Sequence, residues 1–285
     1  MSSSIKITEC PRDAMQGLSN FVPTSIKIEY INLLLQAGFD TIDFGSFVSA
    51  KAIPQMQDTG TVLENLDLHN SKSKLLAIIA NYRGAENAVQ YEQISYLGFP
   101  FSISETFQRR NTNATIAEAF ETVKKIKELS DTKGKTPLVY LSMGFGNPYG
   151  DEWNSDIVVK WAERLVKESI KHISLADTIG IATPAQISGV YNLLATSFPE
   201  TAFGVHLHST PNSWYPKIEA AYKSGCTRFD TALKGYGGCP MAKDELTGNI
   251  ATENLVAYLQ SQNVDTGLNM DKLQEAMDYC SRIFI

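Results

Sequence analysis

Cysteine is scarce in this sequence, and the few cysteines present are scattered. The 285 residues include four cysteines, and no two of them form a C-x-x-C pair. A disulfide framework and a cysteine-based zinc site are therefore not expected, and we predict reduced thiols and a cytoplasmic location. The four residues are Cys10, Cys226, Cys239 and Cys280.

Basic runs and long apolar runs are also missing. The net charge is −6, without a long run of Lys or Arg, which argues against a nucleic-acid partner and against binding to a membrane surface. No stretch of about 18 apolar residues, the length of a membrane span, occurs in the chain. The first residues lack the apolar region of a secretory signal peptide, so we expect neither a signal peptide nor a membrane segment.

Short apolar runs alternate with longer amphipathic runs along most of the chain. Strands separated by helices form parallel sheets, and eight such units close into a (β/α)8 barrel, the TIM barrel. An open doubly wound sheet is the alternative, but no G-x-G-x-x-G pattern follows the first predicted strand. We expect one domain over residues 1–285. The eight predicted strands cover residues 5–9, 40–46, 74–80, 92–99, 137–143, 172–178, 202–208 and 228–233.

The seventh predicted strand carries two of the chain's four histidines. In FGVHLHST, His206 and His208 share a face because successive side chains of a strand point in opposite directions. Val205 and Leu207 suit the outer face beneath the helices, so we expect the histidines inside, at the barrel end where barrel enzymes have their active sites. Two imidazoles at this spacing can bind one divalent ion; a hydrogen-bonded pair near a loop is the alternative.

Charged residues lie at the same end of three other predicted strands. Arg12 and Asp13 follow the first strand, while Asp43 and Asp177 interrupt the apolar runs of the second and the sixth. A carboxylate within an apolar run is costly unless it is paired or belongs to a site. The alternatives are an exposed turn pair for Arg12 and Asp13, and a helix cap for Asp177 and likewise for Asp43.

A glycine-rich segment, KGYGGCPMAKDELTGN, follows the eighth predicted strand. Its glycines allow large backbone excursions around Cys239, and it ends at Asn249, which offers an oxygen ligand. A lone cysteine is usually inert packing, whereas one in an exposed loop is a candidate reactive group. Because all these residues follow the ends of different strands, the sequence predicts an active site at that end of the barrel.

Together these motifs resemble the 3-hydroxy-3-methylglutaryl-CoA lyase family. The resemblance rests on CPRDAMQG, SFVSAKAIPQM, LADTIGIATP, VHLHST and GYGGCPMAKDELTGNIATENLVAYL, and extends from about residue 5 to residue 275. It implies cleavage of 3-hydroxy-3-methylglutaryl-CoA, an acyl-CoA, to acetyl-CoA and acetoacetate, as in leucine degradation. It also implies Mg²⁺ or Mn²⁺ as cofactor and a homodimer.

The resemblance further implies roles for individual residues. Arg12 matches the arginine that faces the thioester carbonyl and stabilises the departing enolate. Cys239 matches a loop cysteine that returns a proton to the enolate carbon. Asp177 and His206 are both candidates for the general base. The implied metal ligands are Asp13, His206, His208 and Asn249.

Other polar residues are predicted to line the pocket or to bind CoA. The pocket residues implied by the resemblance are Asp43, Tyr140 and Asp177, with Asp43 and Asp177 in catalytic roles and Gln16 as a further substrate contact. The hypothetical contacts to the CoA phosphates are Lys51, Arg109 and Arg110, which lie in predicted loops.

Several departures from the family's usual pattern affect the surroundings of the site and none of its predicted ligands. The family commonly has an acidic residue four positions before the arginine, where this chain has Thr8. Glu9, one step later, is expected on the opposite face of the strand. Ser209 stands where an acidic residue often follows the second histidine. Residues 14–18 read A-M-Q-G-L where the family usually has G-L-Q-N-E, and the glycine-rich segment is one residue longer.

Two other functions remain as alternatives. A Claisen-type synthase would join a 2-oxo acid and acetyl-CoA on the same barrel, but it would lack the GGCP cysteine loop. A catalytically silent homologue would bind an acyl-CoA or a partner, but it would be expected to lose metal ligands, and all four predicted ligands are present.

We predict that Cys239→Ser lowers turnover by roughly 10²–10⁴, the usual share of general acid–base catalysis, while metal and substrate binding persist. A thiol with a pKa of about 8.5 suits proton donation near neutral pH. Alkylation should inactivate the protein through Cys239, with substrate protecting it. Replacement of Cys10, Cys226 or Cys280 by Ala is the control and should cost stability only, and full activity of Cys239→Ser would contradict the role.

Overall fold

Eight parallel strands close on themselves to form a barrel. The computed structural model describes residues 4–238 and 247–284. Each strand pairs in parallel with the next, and β8 pairs with β1, so the ring is complete. The predicted (β/α)8 barrel is confirmed. The strands are β1 Lys6–Glu9, β2 Thr41–Ser46, β3 Lys74–Ile78, β4 Ile94–Ser102, β5 Thr136–Ser142, β6 His172–Asp177, β7 Ala202–Ser209 and β8 Arg228–Thr231.

Helices follow the strands and cover the outside of the barrel. Local signals set several of their ends: Thr115 and Glu118 form a capping box, as do Thr183 and Gln186. In the described part of the chain, no helix is long and apolar enough to cross a membrane. The helices are α1 Pro11–Gln16, α2 Thr24–Ala37, α3 Thr59–Glu64, α4 Tyr82–Ala88, α5 Glu105–Thr112, α6 Ile116–Lys133, α7 Ser155–Lys167, α8 Pro184–Ser197, α9 Trp214–Lys223, α10 Thr252–Ser261 and α11 Met270–Tyr279.

Alternation along the strands separates two apolar clusters. The outward side chains pack under the helices in one large core. Inside the barrel, a small cluster fills the middle and consists of Leu76, Ile78, Tyr96, Leu138 and Tyr140. Polar side chains therefore occupy the two ends of the barrel interior, above and below this apolar layer.

A short ninth strand, β9 Gly248–Asn249, pairs antiparallel with the end of β7. In its register His208 faces Asn249. The chain therefore returns from the glycine-rich segment directly onto the strand that carries the two histidines.

Glu9 lies on the outer face of β1, as its position relative to Thr8 predicts. Its carboxylate is fully buried and accepts hydrogen bonds from the Leu233 amide at 2.8 Å and from the Thr252 hydroxyl at 2.5 Å. The Thr252 hydroxyl also lies 2.8 Å from that of Thr231. Glu9 thus ties β1 to both ends of the connection that runs from β8 to α10.

The buried position of Glu9 generates a prediction about pH. Burial raises the pKa of Glu9 to about 8, and the hydrogen bonds from Thr252 and Leu233 oppose this only in part. Because an unfolded glutamate titrates at about 4.3, the unfolded chain binds fewer protons here than the folded chain between these two values. The free energy of unfolding therefore falls as pH rises through this window.

We expect Glu9→Gln to remove this dependence. Urea unfolding at about pH 5 and about pH 8 should show a smaller loss of stability with rising pH for Glu9→Gln than for the wild type. Glu86→Gln, which changes an exposed glutamate, is the matched control. Identical pH profiles for the wild type and Glu9→Gln would contradict the assignment.

Candidate metal centre and active site

Three predicted metal ligands meet at the C-terminal end of the barrel. Asp13 comes from α1, directly after β1, and His206 and His208 come from the inner face of β7. One ligand atom of each lies within 4.8 Å of the others, and all three residues are buried. The two Nε2 atoms of the histidines are 3.2 Å apart. Carboxylate and imidazole groups in this arrangement can hold one divalent cation.

Asn249 lies beside this triad and supports the same interpretation. Its amide nitrogen donates to Asp13 Oδ2 at 2.7 Å and to the Tyr236 carbonyl at 2.9 Å. Its buried Oδ1 atom has no hydrogen-bond partner among the described residues. A buried acceptor without a partner is costly, and a cation would satisfy it.

The other ring nitrogens of the two histidines also face defined groups. His208 Nδ1 lies 3.0 Å from the Thr178 carbonyl, so Nδ1 carries the proton and the Nε2 lone pair is free. Burial and the neighbouring His206 lower the pKa of His208 to about 4, which keeps it neutral. His206 Nδ1 lies 3.4 Å from the carboxylate of Asp230, within ion-pair distance but without a hydrogen bond among the described residues. Burial disfavours the charged imidazole, but Asp230 and Asp13 outweigh it and raise the pKa of His206.

Asp230 was not among the site residues predicted from the sequence. It lies on the inner face of β8, where Ser174 also donates to its carboxylate at 3.3 Å. A carboxylate that orients a metal-binding histidine from behind is a common arrangement. The signal was present, because Asp230 interrupts the apolar run RFDTAL as Asp43 interrupts the second strand.

Arg12 is held by two carboxylates. Its Nε donates to the Asp43 carboxylate at 3.0 Å, and its Nη2 donates to the same group at 2.5 Å. Its Nη1 donates to Asp13 Oδ1 at 3.0 Å and to Gln16 Oε1 at 2.9 Å. Burial disfavours the charged guanidinium, but Asp43 and Asp13 raise the pKa of Arg12, so it stays protonated. Burial likewise raises the pKa of Asp43 to about 6, with Arg12 opposing the rise.

A cavity of about 340 Å³ opens onto these groups. Tyr140 lines it, and its buried hydroxyl has no partner within the described ranges, so it is available to a ligand. Of the hypothetical CoA contacts, Arg110 lines the cavity, whereas Lys51 and Arg109 do not. The predicted site residues on the cavity wall are Arg12, Asp13, Gln16, Tyr140, His206 and His208.

Asp177 does not join this group. Alternation along β6 points Ser174 and Ala176 inward and Asp177 outward, so the carboxylate lies among the helices. There it accepts from Lys217 Nζ at 2.6 Å and from the Ala182 amide at 3.1 Å. The predicted roles of Asp177 as a pocket residue and candidate base do not fit this placement.

Lys217 of α9 connects Asp177 to the candidate metal centre. Its Nζ is buried and also donates to the His208 carbonyl at 2.7 Å and to the Gly180 carbonyl at 2.8 Å. All three ammonium protons are therefore used, and they fix the end of β7. Lys217 was not among the site residues predicted from the sequence, because a lysine on an amphipathic helix usually marks the solvent-facing side.

Cys239 lies outside the described residues, so its predicted role stays a prediction. The chain leading to it passes close to the candidate metal centre at Gly237, whose φ is +94°. A Cβ atom at this position would lie 2.9 Å from the Asp13 carbonyl and 2.7 Å from Asn249 Nδ2. Only glycine fits this conformation and this space.

A carboxylate and two imidazoles at the C-terminal end of a barrel can hold a divalent cation, and this is the end at which barrel enzymes have their active sites. The HMGL-like family model matches residues 5–280, and the chain belongs to this family. It is 33% identical over 282 residues to a mitochondrial hydroxymethylglutaryl-CoA lyase of Mus musculus, covering 98% of this chain and 85% of that protein.

Solved structures of relatives share the fold. The HMG-CoA lyase of Bacillus subtilis superposes with a TM-score of 0.91 at 33% identity, over 97% of this chain and 92% of that one. An HMG-CoA lyase from Acinetobacter baumannii, in complex with coenzyme A and 3-methylmalate, gives a TM-score of 0.89 at 33% identity, over 96% and 89% of the two chains.

The Lys217 contacts predict an effect on metal affinity. The double variant Asp177→Asn, Lys217→Met removes the donors to His208 and Gly180 without leaving a buried unpaired carboxylate. We expect it to bind Mn²⁺ about 10–100-fold more weakly than the wild type, the usual effect of losing a group that orients a ligand.

Electron paramagnetic resonance of free Mn²⁺ measures this affinity directly. Asp177→Asn alone is the matched control, because it keeps the Lys217 donors to both carbonyls. If the double variant and this control bound Mn²⁺ equally, Lys217 would have no part in positioning His208.

Proposed function

We propose that this protein cleaves 3-hydroxy-3-methylglutaryl-CoA to acetyl-CoA and acetoacetate with a bound divalent metal ion, Mg²⁺ or Mn²⁺. The observation that carries the proposal is the meeting of Asp13, His206 and His208 with Arg12 on one cavity wall, in a member of a family whose relatives bear the name of this lyase.

Four residues would hold the metal ion. They combine one carboxylate, two imidazoles and one amide oxygen, a donor set that suits Mg²⁺ or Mn²⁺. When bound, such an ion lowers the pKa of a substrate hydroxyl and orients it. The residues are Asp13, His206, His208 and Asn249.

Arg12 would stabilise the negative charge that grows on the thioester oxygen as the carbon–carbon bond breaks. Arg12 donates hydrogen bonds from Nε and Nη2 to Asp43 and from Nη1 to Gln16. Because the guanidinium is already oriented, little reorganisation is needed when charge develops on the substrate. Asp43 acts through Arg12, since it does not line the cavity. Gln16 and Tyr140 would contact the substrate from the same wall.

Two proton transfers complete the proposed reaction. The substrate hydroxyl must lose its proton; of the two predicted bases Asp177 does not line the cavity and His206 would be a metal ligand, so we assign the base to neither. The enolate carbon must gain a proton, which we assign to Cys239. The cytoplasmic location, the homodimer and the place in leucine degradation are proposals that rest on the sequence analysis.

The test is an assay of acetoacetate release with and without Mg²⁺ or Mn²⁺, after chelation of metal. We expect metal-dependent cleavage, and Arg12→Gln should lower turnover by roughly 10²–10³, as for the loss of one oxyanion donor. Arg12→Lys should rescue only in part, because an ammonium lacks the planar fork. Arg83→Gln, at an exposed position, is the control.

The outcomes separate the alternatives. Absence of cleavage with metal present would reject the proposed lyase. Wild-type turnover by Arg12→Gln would reject the role of Arg12 while leaving the overall reaction intact. Unchanged Mn²⁺ binding by Arg12→Gln would show that its loss of turnover does not arise from loss of the metal.

A further inference from the structure

The opposite, N-terminal end of the barrel interior gathers basic side chains. Lys6, Lys74, His172 and Arg228 are the first residues of β1, β3, β6 and β8. Lys6 and Arg228 are register partners in the pairing of β1 with β8. We call these four residues, together with Tyr96 of β4, the basic cluster.

Three members of the basic cluster, Lys74, His172 and Arg228, converge on the ring of Tyr96. Lys74 Nζ lies 3.4 Å from the Tyr96 hydroxyl and 5.6 Å from the ring centroid. The guanidinium carbon of Arg228 lies 6.0 Å from the same centroid. The His172 ring meets Tyr96 edge-on at 5.5 Å and its Nδ1 lies 3.2 Å from Arg228 Nη1.

Among the described residues, none of the positive charges of the basic cluster has a carboxylate within ion-pair distance, although Asp40 acts on His172 from farther away. Within residues 4–238 and 247–284, no ion pair involves Lys6, Lys74 or Arg228. Arg228 is only 8% exposed, and a buried guanidinium is costly without a counter-charge. The cluster is not a consequence of the composition, because the whole chain has a net charge of −6.

His172 responds to these positive charges. Burial first, and then the charges of Arg228, Lys6 and Lys74, lower the pKa of His172 to about 4, while Asp40 opposes them weakly. The imidazole is therefore neutral, and its Nδ1 lone pair accepts from Arg228. The remaining donors of Arg228 and the two ammonium groups are left for a ligand of opposite charge.

We propose that the basic cluster binds a phosphate-type oxyanion at the N-terminal mouth of the barrel. A guanidinium fork matches two oxygens of such an anion, and Lys6, Lys74 and the Tyr96 hydroxyl supply further donors. The site lies below the apolar layer of Leu76, Tyr96 and Leu138, apart from the candidate metal centre, and the proposal does not depend on the proposed lyase activity.

The four histidines of the chain make the test specific. His172 reports on the basic cluster, His206 and His208 report on the candidate metal centre, and exposed His69 is the reference. Protein labelled with ¹⁵N-histidine is titrated with inorganic phosphate, and separately with sodium chloride at matched ionic strength. We expect a saturable shift of the His172 signals with phosphate and none with chloride, whether or not His206 and His208 also respond.

Substitution of one lysine locates the binding. Lys74→Met should weaken the phosphate response of His172 by about tenfold or more, as expected for loss of a charge-assisted contact. Lys160→Met, on the exposed face of α7, makes the same change in net charge and should leave the response unchanged. The intact dispersion of the other histidine signals shows that each variant is folded.

A second arm identifies the source of the phosphate group. Adenosine 5′-monophosphate that binds more tightly than inorganic phosphate at His172 supports a nucleotide-borne phosphate, and equal or weaker binding supports the free anion. The proposal is overturned if His172 does not respond to either compound, if chloride produces the same shift, or if Lys74→Met titrates like the wild type.

Discussion

The candidate site depends above all on the buried carboxylate of Asp13. Its Oδ1 accepts from Arg12 and Gln16, and its Oδ2 accepts from Asn249. Burial opposes a charge here, but Arg12 and the two histidines lower the pKa of Asp13, so the carboxylate stays ionised. One negative group thereby joins the first strand, the seventh strand and the segment that follows the eighth. If Asp13 were neutral, these contacts would lose the charge that strengthens them.

The two-residue repeat of the strands explains most of what could be predicted from sequence. It placed His206 and His208 on the inner face, and it placed Glu9 on the outer face opposite Thr8. The same repeat, applied from Ser174 onward, points Asp177 outward. The LADTIGIATP motif alone had instead predicted Asp177 in the pocket. Periodicity carried more information at this position than the resemblance did.

Residues that act through distant contacts could not be found in this way. Lys217 lies 40 positions from Asp177 along the chain, and nothing in the helical pattern of α9 shows that its ammonium group is buried. The Glu9 contacts with Leu233 and Thr252 join residues more than 200 positions apart. Such pairs arise only when the barrel closes and brings β1 beside β8.

The glycine contacts around the candidate metal centre have a consequence for how this part of the chain can vary. A Cβ atom at Gly238 would lie 2.5 Å from the Thr247 carbonyl, and one at Gly248 would lie 2.2 Å from that of Gly235. Gly238 and Thr247, on either side of residues 239–246, are therefore packed backbone to backbone, as are Gly235 and Gly248. A larger residue at Gly238 or Gly248 would force these backbones apart. Because Asn249 directly follows Gly248 in the chain, the same change would displace a predicted metal ligand, so variation at these two glycines is coupled to the geometry of the candidate metal centre.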